Sequence, residues 1–211
     1  MANTSVRGII GEPVKGKIGV LIEDHFDQTE FRKINEYFPQ QGYQVEYLSH
    51  LWGNAELTFG SNPEEKGVIE EHVTVSTDLN DVDPTDYKGI LLIGAYATDR
   101  LRYQTNPRKG QPNMAPAVVF LRKAVATEGV KIGTLCHALW LFCADPALLK
   151  GRKVTCAHNI ICDVENAGGE VIFEGDQTTD LVVDGNLISG KHPAVTDEFM
   201  ETFVAEIEKE S

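Results

Sequence analysis

Basic residues are scarce in this 211-residue chain: 19 Lys and Arg stand against 32 Asp and Glu, a formal charge of -13. A surface of that sign repels phosphate backbones and anionic lipids, so neither nucleic acid nor a membrane surface is an expected partner. Long apolar runs are missing too. No stretch approaches the roughly 20 apolar residues of a bilayer-spanning helix, and residues 1–17 show no apolar core of about 7–15 residues behind a basic start. Cysteine is sparse, and Cys136, Cys143, Cys156 and Cys162 form neither a CxxC pair nor the paired Cys/His spacing of structural zinc. His25, His72 and His192 lack the spacing of a helix-borne metal pair, so no metal site is assigned and no cofactor is expected. Internal repeats and low-complexity segments are absent. Free thiols in a reducing cytoplasm are the expectation, and there a well-placed cysteine is a nucleophile candidate before it is a disulfide partner.

What is present is ordinary globular material, 42% hydrophobic and 24% charged, at a length one α/β domain can fill. We expect a loose segment over 1–16 and a single domain over 17–211. KIGVLI, Lys17 to Ile22, is too short for a stable helix and predicts a buried parallel strand. Phe31, Ile34, Tyr37 and Phe38 then mark a helical face over 30–41 that stops at Gly42, and a second strand follows over 45–48. This β-α-β opening predicts a parallel sheet with helices on both faces. Residues 51–86 predict an elaborated polar loop with one small strand near His72 to Val75. Further strands are predicted over 89–93, 131–135, 153–156, 171–173, 181–183 and 187–189. Helices are predicted over 115–128, 138–144 and 195–209, and 102–113 predicts a surface excursion.

The junction between the strand at 131–135 and the helix at 138–144 is Cys136-His137. A thiol at such an elbow meets the positive end of a helix dipole and unpaired N–H groups, which favour the thiolate. The neighbouring imidazole supplies a proton shuttle near neutral pH. The alternative is an inert thiol in an apolar stretch beside a surface histidine.

Gly133-Thr134-Leu135-Cys136-His137 with the apolar helix behind it resembles the nucleophile elbow of the ThiJ/PfpI superfamily. Three other regions resemble it in order and spacing: Asp24 to Glu30; Gly94 to Arg102; and Leu149 to Thr155 with Asn166-Ala167-Gly168 and Val182 to Leu187. The resemblance, which is to the PfpI-like branch, covers nearly the whole chain from Lys17. It implies a flavodoxin-like α/β domain of the class I glutamine amidotransferase type, with Cys136 as nucleophile, Glu30 as a carboxyl bonded to its sulfur and His137 as general acid/base. It also implies oxyanion N–H groups from Gly94 or Ala95, and a homo-oligomer in which Asp99 orients the histidine of a neighbouring subunit. Read without the resemblance, Glu30 is a first-turn carboxylate and Asp99 an exposed loop acid. The sequence departs from the family pattern at Ala95 and Ala138, where glycines are usual. At Ala157 a pocket tyrosine is usual, and His158 beside it is expected to touch substrate.

The activity implied is cysteine-dependent chemistry on small reactive carbonyls without glutathione, of glyoxalase or deglycase type. Two other readings stay open. One is a PfpI-type intracellular cysteine peptidase acting on a peptide, and the other is a non-catalytic sensor of oxidative stress.

Overall fold

The computed structural model describes residues 5–63 and 66–209. The first apolar run forms β1 (Gly16–Leu21), followed by α1 (Gln28–Gln40) and β2 (Tyr43–Ser49). Helix α1 begins before the apolar spacing predicts because Asp27 caps it, accepting the Glu30 N–H at 2.8 Å. Beyond β2 come β3 (Leu57–Asn62), β4 (His72–Val75), β5 (Gly89–Leu92), α2 (Ala97–Leu101) and α3 (Pro116–Ala126). The remainder comprises β6 (Lys131–Leu135), α4 (Trp140–Cys143), α5 (Ile161–Asn166), β7 (Leu181–Asp184), β8 (Leu187–Gly190) and α6 (Thr196–Glu208).

The fold is α/β around a mostly parallel sheet, ordered β7-β8-β6-β5-β1-β2 and finished by Ile9–Ile10. Only β7 on β8 and Ile9–Ile10 on β2 run antiparallel. Successive residues of β5 show why both faces carry helices. Leu91 falls in the buried cluster that holds Phe199 and Phe203 of α6 and Phe31 and Ile34 of α1, whereas Ile90 and Leu92 fall in the one that holds Val118 and Leu121 of α3 and Phe142 of α4. Helix α6 lies close because the sheet beneath it has no side chain at two points. A Cβ on Gly89 would stand 2.6 Å from Phe203 Cζ, and one on Gly133 would stand 2.8 Å from Phe199 Cζ.

Several expectations are corrected. The predicted loop over 51–86 contains a β3–β4 hairpin, part of a second sheet ordered Ser5–Arg7, β4, β3, Phe26–Asp27. Gly60-Ser61-Asn62 reads as loop material, but here the Gly60 N–H donates to Asp24 Oδ1 at 2.8 Å and Phe59 is buried. The expected loose start is paired on both sides of Gly8, Ser5–Arg7 with β4 and Ile9–Ile10 with β2. Strands that short leave no periodic signal; residues 1–4 of that segment lie outside the described part. The predicted helix over 138–144 shrinks to the four residues of α4, preceded by a turn over 136–139. Helices α2 and α5, each six residues or fewer, went unpredicted. No described helix is long and apolar enough to cross a membrane.

Candidate active site

Among the described residues, four that are not glycine adopt positive φ: His25 (66°), Trp52 (54°), Ala95 (57°) and Cys136 (54°). They follow β1, β2, β5 and β6, at the carboxyl edge of the sheet where α/β folds bind ligands. A left-handed backbone costs a residue with a Cβ about 1–2 kcal/mol, and such strain gathers at functional sites. Three of the four are locked together. Ala95 bridges Phe26, the Tyr96 N–H donates to His25 O at 3.0 Å, and Gly94 reaches Cys136.

Cys136 is held at both peptide groups. Its N–H donates to Gly190 O at 2.9 Å, and its carbonyl accepts the Ala157 N–H at 3.1 Å. The residue is buried, 8% exposed. The backbone N–H groups of Ala95 and His137 lie near enough to its sulfur to favour the thiolate. Glu30 is fully buried beside it, fixed by the Gly94 N–H, which donates to Oε2 at 2.6 Å. That bond takes the Gly94 N–H away from the oxyanion role expected of it and leaves Ala95 and His137 as the donors facing the reactive atom.

Burial holds the Cys136 thiol well above its ordinary value of 9.0, and the charges of Glu30 and then Asp27 push in the same direction; the two N–H donors oppose this and lose. The thiolate-favouring helix dipole of the sequence reading is weak here because α4 has one turn and starts at Trp140. A charge on Glu30 therefore opposes a charge on Cys136. Cys143 and Cys156 are raised as well, chiefly by burial, to about 11 and about 12.

His137 extends from the elbow with Nδ1 3.7 Å from Cys136 Sγ. Its ring lies between Tyr96 (centroids 5.7 Å apart, 20° between planes) and Trp140 (5.1 Å, 17°). Nε2 meets Asn159 Oδ1 at 2.8 Å, and the His137 carbonyl accepts from Thr98 Oγ1 at 3.2 Å. The fold therefore brings together Cys136, His137, Glu30, Gly94 and Ala95. Asp99 is exposed on α2, and among the described residues no hydrogen bond joins it to the imidazole of its own chain. It lines a cavity of about 620 Å³ with Glu23, Trp52, Arg100, Tyr103 and Thr105. His158 is exposed, and its neighbour Asn159 is the residue that reaches the site. Sequence reasoning missed Asn159, Tyr96 and Trp140. No local pattern marks Asn159, because its contact depends on the docking of the 157–160 turn against Cys136.

A model of the DJ-1/PfpI family matches residues 16–206. An uncharacterized Staphylococcus epidermidis protein is 28% identical over 91% of this chain and 98% of its own length. An uncharacterized Staphylococcus aureus protein is 26% identical over the same shares. Among solved structures, a two-domain Anabaena variabilis protein with DJ-1/ThiJ/PfpI-like and ferritin-like domains superposes with a TM-score of 0.73 at 23% identity; the match covers 92% of this chain and 48% of that one. Drosophila melanogaster DJ-1beta superposes with a TM-score of 0.69 at 15% identity, covering 92% of this chain and 95% of that one.

Proposed function

The chain belongs to the DJ-1/PfpI family, and from that premise we propose a cysteine-dependent enzyme acting on small reactive carbonyls without glutathione, in the cytoplasm. The observation that carries this reading is a buried thiol addressed by two backbone N–H groups, with a carboxyl and an imidazole both beside it. Cys136 passes its proton to Glu30 or His137 and adds to an aldehyde carbon, forming a C–S bond and an alkoxide two bonds from sulfur. The Ala95 and His137 N–H groups, beside the sulfur, are the donors that hold that charge. The alkoxide takes a proton, giving a hemithioacetal. With a dicarbonyl such as methylglyoxal, His137 or Glu30 then takes the proton from the former aldehyde carbon while the adjacent carbonyl oxygen gains one, giving an enediol; return of the proton to the adjacent carbon and loss of the hydroxyl proton on the sulfur-bearing carbon leave a thioester. Water cleaves the C–S bond and returns the thiol and a 2-hydroxy acid; the net change is addition of one water.

The same addition serves removal of a carbonyl adduct from an amine, the deglycase form of the reading. A homo-oligomer belongs to it too, with Asp99, exposed on α2, presented toward a neighbouring copy. The direct test is steady-state loss of methylglyoxal in the absence of glutathione. Turnover by the wild type that disappears in Cys136→Ser at matched folding supports the proposal. No turnover by the wild type rejects this substrate class and turns attention to peptide cleavage and peroxide oxidation.

A further inference from the structure

One short segment ties down the elbow at three points. The Ala157 N–H donates to the Cys136 carbonyl at 3.1 Å, Asn159 Oδ1 meets His137 Nε2 at 2.8 Å, and Trp140 Nε1–H donates to Asp163 Oδ2 at 3.0 Å. Seven residues, 157–163, therefore grip 136, 137 and 140. The middle contact is the one with chemical consequence. An amide oxygen has only lone pairs, so Nε2 must bring the proton to this bond. A neutral imidazole with its proton on Nε2 presents a lone pair at Nδ1, and Nδ1 is the nitrogen that faces Cys136 Sγ, 3.7 Å away.

We propose that Asn159 is a positioning residue that sets the tautomer of His137, so that Nδ1 is held ready to accept the Cys136 proton and the dyad is completed within one chain. The transfer balances locally: the S–H bond breaks, an Nδ1–H bond forms, and the resulting imidazolium keeps its Nε2–H on Asn159 Oδ1. Stacking on Tyr96 and Trp140 restrains the ring plane but does not choose between the tautomers, since both rings are flat and neither is bonded to a ring nitrogen. The choice rests on Asn159. An acid arriving from another copy would have to displace Asn159 to reach Nε2.

The inference rests on reading Cys136 and His137 as a reactive pair, but its tests need no substrate, so loss of the carbonyl reading leaves it decidable. In the full-length protein, nitrogen-15 NMR of the imidazole at a pH where it is neutral should show Nε2 protonated and Nδ1 bare. Asn159→Ala should populate the Nδ1–H form and lower the rate of Cys136 alkylation by iodoacetamide at pH 8 by about five- to tenfold, the size of one such hydrogen bond. Asn159→Asp keeps an acceptor at the same place and should restore the Nε2–H tautomer that the alanine variant loses, a change that general loosening of the turn would not produce. An Nδ1–H imidazole in the wild type overturns the proposal, as does an alanine variant with unchanged tautomer and unchanged alkylation. Should Asn159→Ala fold poorly, the aspartate variant alone decides: an Nδ1–H imidazole in it sinks the idea.

Discussion

Gly94 and Glu30 share one hydrogen bond and one volume. The Gly94 N–H donates to Glu30 Oε2 at 2.6 Å, and a Cβ built on Gly94 would lie 2.5 Å from Glu30 Oε1 and 2.9 Å from Cys136 Cβ. Glycine is required there by proximity, since the missing side chain is what lets carboxyl and thiol meet.

Gly94→Ala should therefore displace Glu30 or Cys136. We expect a stability loss of about 1–3 kcal/mol, the usual cost of overpacking, and a much larger relative loss of thiol-dependent activity. Urea unfolding beside a methylglyoxal assay checks this. Retained activity with native stability would mean that the carboxyl is free to move aside.

The sheet and the elbow were legible because both are written in continuous residues. GILLI and KIGTL can only be buried strands in a chain of this length, and Cys136-His137 stands where the second of them stops. The hairpin at Leu57–Val75 was half hidden because the polarity of Gly60 and Ser61 serves a contact with the Asp24 loop that no local pattern records. Glu30 was legible through resemblance alone, since a first-turn glutamate is ordinarily solvated, and its full burial depends on β5 delivering Gly94 to it. Asn159 lies 22 residues after His137, so its role exists only once the fold closes.

Removing the charge of Glu30 should free the thiol. Burial aside, that charge is the leading cause of the raised Cys136 pKa, so Glu30→Gln should bring the pKa down. Each unit of descent multiplies the thiolate fraction at neutral pH about tenfold. Alkylation of Cys136 by iodoacetamide at pH 7.5 should accelerate in the variant while carbonyl turnover falls, because the amide cannot carry the proton. Slower alkylation would assign Glu30 the opposite role, a protonated donor that stabilises the resting thiolate.

The buried thiols also make the fold sensitive to alkali. Cys136 and Cys156, both buried, have folded-state pKa values raised above the ordinary 9.0, that of Cys156 to about 12. A raised value means that the unfolded chain releases the proton first. The stability contributed by each protonated thiol is therefore complete below pH 9 and is lost progressively as pH climbs through the folded value. One proton corresponds to about 1.4 kcal/mol per pH unit for each thiol, with Cys143, raised to about 11 and only half-buried, adding less. Urea unfolding at pH 7, 8, 9, 10 and 11 should give a flat limb below 9 and a falling limb above it. Cys156→Ala, itself mildly destabilising at pH 7, should make the falling limb shallower by one thiol's share. An unchanged slope would show that Cys156 gains water before the fold opens.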